Sequence, residues 1–427
     1  FTSVTVNRDS ERKPISSSQR TDVAKIYDYY GASGKIDKID KYIFNERLLL
    51  IGEDGANLVT RSKPIAFFAD GLYWVNNHAH CIDSPDKFIL DYLCFYINAI
   101  GLEKYVTGSA QPKMTQDKMN SIIVSLPPYN EQKRLCQHLN ELLAVVNNIE
   151  YEKEEVLTFV SKVKAKILDL AIRGELVPQD PNDEPASVLL ERIREEKEEL
   201  IKQGKIKRDK MESVIFKGDD NSYYENISNN TICIDEEVPF DLPDGWIWCR
   251  LKSLADPHEN SFVDGPFGSN LKTDHYTDRR EVRIIQLNNI GEFTWKNNGI
   301  KYTTYSHAET LSRCKSYPGD IVIAKMMPAG RAIIIPDIED VYVISSDCVR
   351  LQLPNYIDKR YVMYMINSPT INKSVMKNVQ GIGRTRTSLS KLKELLVPIP
   401  PYKQQCQISA TFDKSLFYFD TINALCE

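Results

Sequence analysis

His78-Ala79-His80 places two imidazoles at the i, i+2 spacing that one strand would present on a single face. Two histidines are half of a tetrahedral metal site, and no third or fourth ligand accompanies them in the sequence. A later stretch of the chain at the corresponding place carries Ser346-Asp347-Cys348 instead, so a polar turn or groove contact is the better reading and no metal is expected. Pro127-Pro128-Tyr129 and Pro400-Pro401-Tyr402 suggest amine methylation at first sight. That chemistry needs an Asn or Asp before the prolines to accept a hydrogen bond from the amine, and Leu126 and Ile399 stand there. No Gly-x-Gly element suited to S-adenosylmethionine follows a strand, and no Gly-x-x-x-x-Gly-Lys-Ser/Thr loop cradles a phosphate. Glu195-Glu196-Lys197 resembles the tail of a nuclease motif, but it lacks the preceding Pro-Asp and falls in a charged helical stretch. The motifs for amine methylation, S-adenosylmethionine binding, nucleotide binding and nuclease chemistry are thus absent or thin in this sequence.

What remains is donor chemistry in glycine-rich turns and at helix entries. Base edges in a major groove are read by Arg or Lys on guanine and by Asn or Gln on adenine, while phosphates accept from Lys, Ser and backbone amides. Were the chain a DNA reader, as the family resemblance given below implies, the residues for such work would be Asn57, Arg61, Asn76, Asn77, His78, Gln111 and Lys113 in the first half. In the second half they are Ser269, Lys272, Lys325, Arg331, Ser346, Arg384 and Arg386. Arg384 and Arg386 sit in Gly-x-Gly-Arg-Thr-Arg-Thr, where glycines permit close approach to a duplex. Simple solvation of a helix entry is the alternative for that pair.

These residues are organised by a duplication. Gly108, Gln111, Thr115, then Ile122-Ile123-Val124, Leu126-Pro127-Pro128-Tyr129 and Gln132 recur in the same order 273 positions later. The second copy is Gly381, Arg384, Ser388, Leu395-Leu396-Val397, Ile399-Pro400-Pro401-Tyr402 and Gln405. After each Pro-Pro-Tyr, apolar residues recur at alternating steps of four and three, the seam of a coiled coil. The first seam runs through Leu135, Leu139, Leu142, Val146, Ile149, Val156, Val160, Val163, Ile167 and Leu170. The second runs through Ile408, Phe412, Phe419, Ile422 and Cys426.

The pattern predicts an α+β chain of two similar domains, 1–128 and 241–400, each followed by a long helix with a coiled-coil seam, 129–175 and 401–427. Residues 176–240 are expected to be a linker carrying one charged amphipathic helix from Ala186 to Lys205, with an extended stretch from Arg208 to Pro239. Inside the domains, Tyr42 to Ile51, Gly319 to Ala324, Ala332 to Pro336 and Val341 to Ser345 read as strands. Phe88 to Ala99 and Lys359 to Ile366 read as helices at matching places. The start at Phe1 and the short second helix suggest that both ends of the chain lie inside a longer sequence.

Charge agrees with this division. The formal net charge of −5 is distributed as 0 over residues 1–128, +4 over 241–400, −8 over 129–240 and −1 over 401–427, so the acidity lies in the connector and leaves the domains free to show basic faces. Nine scattered cysteines without a Cys-x-x-Cys argue against a disulfide framework or zinc ribbon, and a reducing cytoplasm fits best. No apolar run of membrane-spanning length and no leader is seen.

The Gly265-Pro266-Phe267-Gly268-Ser269 turn followed by Leu271-Lys272, the Pro318-Gly319-Asp320-Ile321 strand entry and the Pro-Pro helix entry together resemble the DNA specificity subunit of type I restriction-modification systems. The first half resembles another version of the same target-recognition domain, through Tyr29 to Gly34, Gly52 to Asn57 and Trp74 to His80. The resemblance implies a non-catalytic protein whose two domains each read half of a split double-stranded DNA target, held apart by the two long helices packed as an antiparallel coiled coil. It further implies two copies of a modification subunit that binds S-adenosylmethionine and methylates adenine, and motor-nuclease subunits for cleavage. A fused enzyme carrying methyltransferase motifs upstream, or a coiled-coil scaffold without DNA, are the readings it competes with.

Overall fold

A computed structural model describes all residues except 22, 109–110, 210–211, 229, 327–328, 378–385 and 427. It divides into two compact units, Phe1–Glu152 and Lys153–Glu427. No helix among the described residues is long and apolar enough to cross a membrane.

The first unit holds two four-stranded sheets. One is antiparallel in the order β1 (Val6–Asn7), β8 (Ala79–Asp83), β5 (Leu48–Gly52), β6 (Ala66–Ala69). The other runs β3 (Gly34–Ile39), β2 (Tyr27–Gly31), β7 (Leu72–Val75), β4 (Phe44–Asn45), with β2 and β7 parallel. Successive side chains of a strand point to opposite faces, and β5 is apolar on both. Leu49 and Ile51 enter a core with Leu90, Leu93 and Ile97 of the helix Lys87–Ala99. Leu48 and Leu50 enter another with Phe44, Tyr73 and Cys81.

The second unit repeats this plan. An antiparallel sheet runs β13 (Phe262–Asp264), β21 (Cys348–Leu351), β18 (Ile321–Ala324), β19 (Ala332–Ile334). A mixed one runs β14 (Tyr276–Thr277), β16 (Tyr302–Thr303), β15 (Val282–Ile285), β20 (Tyr342–Ile344), β17 (Lys315–Ser316), with β15 and β20 parallel. Again the central strand serves two cores, Ile321 and Ile323 in one, Val322 and Ala324 in the other.

Individual hydrogen bonds are duplicated as well. Asp86 caps the helix Lys87–Ala99 and Asp358 caps Lys359–Asn367, each carboxylate accepting from first-turn amides. Near the end of each helix an asparagine satisfies the edge strand: Asn98 donates to the Ala66 carbonyl at 2.7 Å, and Asn367 to the Ala332 carbonyl at 2.8 Å. The glutamine three residues after each Pro-Pro-Tyr closes the helix entry, Gln132 donating to Pro127 O at 2.8 Å and Gln405 to Pro400 O at 2.9 Å.

The long helix Tyr129–Ile172 has 44 residues and ends just before Arg173 and Gly174, where Gly174 takes a φ of 74° as a glycine past a helix end does. Its expected seam is not uniform. Leu135, Leu139, Leu142, Val146, Ile149 and Val156 are exposed, Leu142 at 63 % and Ile149 at 60 %. Val160 is buried, Val163 is half-buried, and Ile167, with the flanking Leu168, Ala171 and Ile172, packs into the core of the second unit. Leu170, also half-buried, accepts Glu175 N–H at 2.9 Å.

The closing helix Tyr402–Cys426 departs further from the expectation. Ile408 and Phe412 belong to the second unit's core, Phe412 against the rings of Tyr364 and Phe293, so this stretch packs on its own domain. The two helices meet beyond it, where the Lys164 ammonium lies 5.7 Å from the ring centroid of Phe419, itself buried; Ile422 is half-buried.

The expected linker 176–240 is also corrected. The helix Ala186–Lys202 buries Ala186, Leu189, Leu190 and Ile193 in the core of the second unit. Residues expected to be extended form an antiparallel sheet of β9 (Ser213–Lys217), β10 (Tyr223–Ile227) and β11 (Asn230–Cys233). It is fixed by a buried ion pair: Glu225 accepts from Arg250 Nε at 3.0 Å, Arg250 lying on β12 (Ile247–Arg250), which pairs with β22 (Leu396–Ile399). Burial alone would push the Glu225 carboxyl up, but the hydrogen bonds from Arg250 hold it below the usual glutamate range. Glu225 therefore stabilises the docked sheet fully above the ordinary value of about 4.3, and the contribution is lost as pH falls through the lower folded value. Hydrogen exchange of β9–β11 should be protected at pH 5 and lose protection in acid before the domain core does. Glu225→Gln should remove that acid step, and an unchanged profile would show that the ion pair does not hold the sheet.

Candidate nucleic-acid interface

In both domains two distant loops return to the end of the central strand. In the first, Glu53 N–H donates to His78 O at 2.9 Å and Met114 N–H to Glu53 O at 2.7 Å, with a bridge between Asp54 and Lys113. In the second, Lys325 N–H donates to Asp347 O at 2.8 Å and Thr387 N–H to Lys325 O at 2.9 Å, with a bridge between Met326 and Arg386. One backbone frame thus sets Glu53 opposite Lys325 in the correspondence, His78 opposite Asp347, and Lys113 opposite Arg386. Gly52 is needed at this strand end, because a Cβ there would lie 2.6 Å from the Ala32 carbonyl oxygen.

The first domain surrounds its strand end with paired charges. Lys113 Nζ lies 3.1 Å from Glu53 Oε1, and His78 Nδ1 2.7 Å from Asp54 Oδ2. Arg12 reaches Glu53 at 2.6 Å and Asp9 at 3.3 Å and donates to Ala79 O at 2.7 Å. His80 is fully buried, with Nδ1 2.6 Å from Asp9 Oδ2 and Nε2 2.9 Å from Met114 O. Burial pushes the Asp9 carboxyl up, yet hydrogen bonds and charge from His80 bring it below the ordinary aspartate value. The additional ligand types that spacing could not show are therefore present: atoms of Asp9, Glu53 and His80 lie within 4.8 Å of one another. Arg12 and Lys113 already neutralise the two carboxylates, so the cluster reads as an ion-pair network tying β8, the N-terminal segment and Lys113–Met114 together.

The second domain does the same with other residues. Lys325 Nζ pairs with Asp264 at 2.7 Å, and the Arg386 guanidinium pairs with Asp347. Ser346 lies half-buried beside Asp347. The Gly265 turn presses against this point so closely that a Cβ would sit 1.9 Å from Ser345 O. Beyond it Phe267, Ser269 and Lys272 are exposed.

Of the sequence candidates, Asn76, Asn77, His78 and Lys113 converge in the first domain, and Ser346 and Arg386 in the second. Asn76 is buried and its Oδ1 accepts from His78 N–H at 2.8 Å, so it shapes the turn, while Asn77 is exposed. Gln111 is exposed on the returning loop. Arg384 lies outside the described residues. Three candidates are corrected. Asn57 is turned onto its own loop, accepting from Lys63 N–H at 2.9 Å. Arg61 donates to the carbonyls of Ile97, Asn98 and Ile100, stabilising the C-terminus of a helix rather than facing solvent. Lys325 is buried against Asp264. Arg331 sits half-buried in the β18–β19 turn, its carbonyl accepting from Ala324 N–H. The carboxylates Glu53, Asp54, Asp264 and Asp347 escaped sequence reasoning, which looked only for donors. Their signal is placement: Glu53 follows the central strand β5, and Asp347 stands in the facing turn at the place His78 holds in the first domain.

A family model described as the type I restriction modification DNA specificity domain matches residues 6–158 and 277–424. The type I restriction enzyme EcoAI specificity subunit of Escherichia coli is 31 % identical over 279 residues, 62 % of this chain and 40 % of that protein. The EcoDI specificity subunit of the same species is 20 % identical over 416 residues, 93 % of this chain and 76 % of that protein. The chain thus matches 40 % of the length of the EcoAI and EcoEI relatives. A chain from a structure of the complex assembly and conformational transition of a type I R-M system aligns over 99 % of this chain and 92 % of its own length, with a TM-score of 0.59 and 14 % identity, a likeness of fold.

Proposed function

Because the chain belongs to the family of type I restriction modification DNA specificity domains, we propose that it reads a split DNA target, one half through each target-recognition domain, and directs partner subunits to it. The partners are two copies of a modification subunit, which supplies S-adenosylmethionine and adenine methylation, and motor-nuclease subunits for cleavage; this chain contributes recognition and no catalysis. The observation that supports this reading is the shared frame at the two strand ends. It holds the backbone alike in both domains while presenting different side chains, Glu53, His78 and Lys113 in one and Lys325, Asp347 and Arg386 in the other. A duplicated fold with unlike polar residues at one matched place suits two different half-sites. Adenine methylation should be profiled across the source genome with and without the gene. Loss of one split motif is expected; an unchanged methylome in a strain where the partners are expressed would reject the assignment.

A further inference from the structure

At the strand ends that form the candidate interface, four of the charged or ionisable donors singled out from the sequence each face a carboxylate of their own domain. Lys113 faces Glu53 at 3.1 Å, His78 faces Asp54 at 2.7 Å, Lys325 faces Asp264 at 2.7 Å, and Arg386 faces Asp347. Lys113 and Arg386 occupy corresponding positions, and their side chains are half-exposed, 49 % and 50 %. Their carboxylate partners come from different positions of the frame, Glu53 from the strand end and Asp347 from the facing turn. The pairing is thus reached twice by unlike residues, and a surface built for phosphate attraction alone would leave such cations free.

We infer that Glu53 and Asp347 are specificity-determining residues that hold Lys113 and Arg386 in ion pairs, so that a random duplex is bound weakly and a correct base edge is needed to engage the pair. The inference rests on the target-recognition reading above. An arriving phosphate meets an exposed cation whose charge is already neutralised by the more buried carboxylate behind it, which removes part of the sequence-independent attraction that dominates non-specific binding. A base pair can satisfy both partners together. The major-groove edge of G·C offers guanine N7 and O6 to the cation and the cytosine N4 amino group to the carboxylate. The pair therefore costs little at a matched site and is unfavourable elsewhere.

The test uses the full chain, alone and with its modification subunit, and a labelled duplex of random sequence titrated at several salt concentrations. Glu53→Gln and Asp347→Asn should each tighten random-duplex binding by about 3- to 10-fold at low salt, and steepen the log–log salt slope by about one, the increment of one freed cation. Lys113→Ala added to Glu53→Gln should abolish the gain. Selection from a random DNA pool should show relaxed preference in one half-site for each variant and in a different half for the two. Damage to the fold would weaken binding, so a gain is not produced by misfolding; the less buried Asp347 pair keeps the test informative if Glu53→Gln perturbs the Arg12 network. Unchanged or weaker random-duplex binding by both variants overturns the inference. No salt-dependent DNA binding by the unsubstituted chain, even with its partner, overturns the target-recognition reading instead.

Discussion

Phe412→Ala should unfold the second unit at markedly lower denaturant than the unsubstituted chain, with a loss of about 3–5 kcal/mol. The ring is fully buried, with the Tyr364 ring centroid at 4.6 Å and that of Phe293 at 5.4 Å, and it joins a core running from the end of the long helix through β18 to the closing helix. Nothing nearby can collapse into the space without moving both neighbours. Tryptophan fluorescence is a suitable readout, because Trp246, Trp248 and Trp295 lie in this unit and Trp74 in the other. Val146→Ser with Ile149→Ser, on the exposed stretch of the long helix, should leave that transition where it was while weakening assembly with a modification subunit in sedimentation. A Phe412→Ala transition within 1 kcal/mol of the parent would mean that the closing helix is not part of the domain core.

That contrast marks what the sequence could and could not convey. Steps of four and three identify a helix with one apolar face, and the long helix and the closing helix both exist where the spacing puts them. The spacing does not say what covers the face. On Ile408 and Phe412 the cover is the body of the same domain, and on Leu135 to Val156 the described residues provide none. The duplicated Gly-to-Gln stretch was legible because its residues have local tasks, such as Gln132 and Gln405 reaching back five residues to a proline carbonyl. The β9–β11 sheet was not, since its alternation runs against the usual sign: Val214 and Phe216 are exposed while Glu225 points inward to Arg250. A buried charge reads as solvent-facing until its partner 25 residues away is known. The interface was half legible for a related reason. Donors were recognisable by type, whereas the carboxylates that hold them, and the helix end that claims Arg61, are set by tertiary contacts alone.

Domain exchange follows the structure rather than the motif boundaries. Replacing residues 241–400 with the matching segment of a related subunit cuts through one core, separating it from Leu168, Ala171 and Ile172, from Ala186, Leu189 and Ile193, and from Ile408 and Phe412. Each mismatched large-to-small or small-to-large contact there costs on the order of 1–5 kcal/mol, against a domain stability of about 5–15 kcal/mol. Such a chimera should be recovered mainly as aggregate. Moving the junction to Glu152–Lys153 keeps the second unit whole and places the seam of the exchange in a helical stretch, residues 150–156, that is exposed throughout. If the donor segment preserves the length of the 44-residue helix, about 66 Å at 1.5 Å per residue, the spacing between half-sites should be unchanged. Methylation mapping of cells carrying this second chimera should then show one half of the split motif replaced and the other intact. Both halves changing together would mean that the two domains build a single composite site, and the independent frames at Glu53 and Lys325 would not be separate readers.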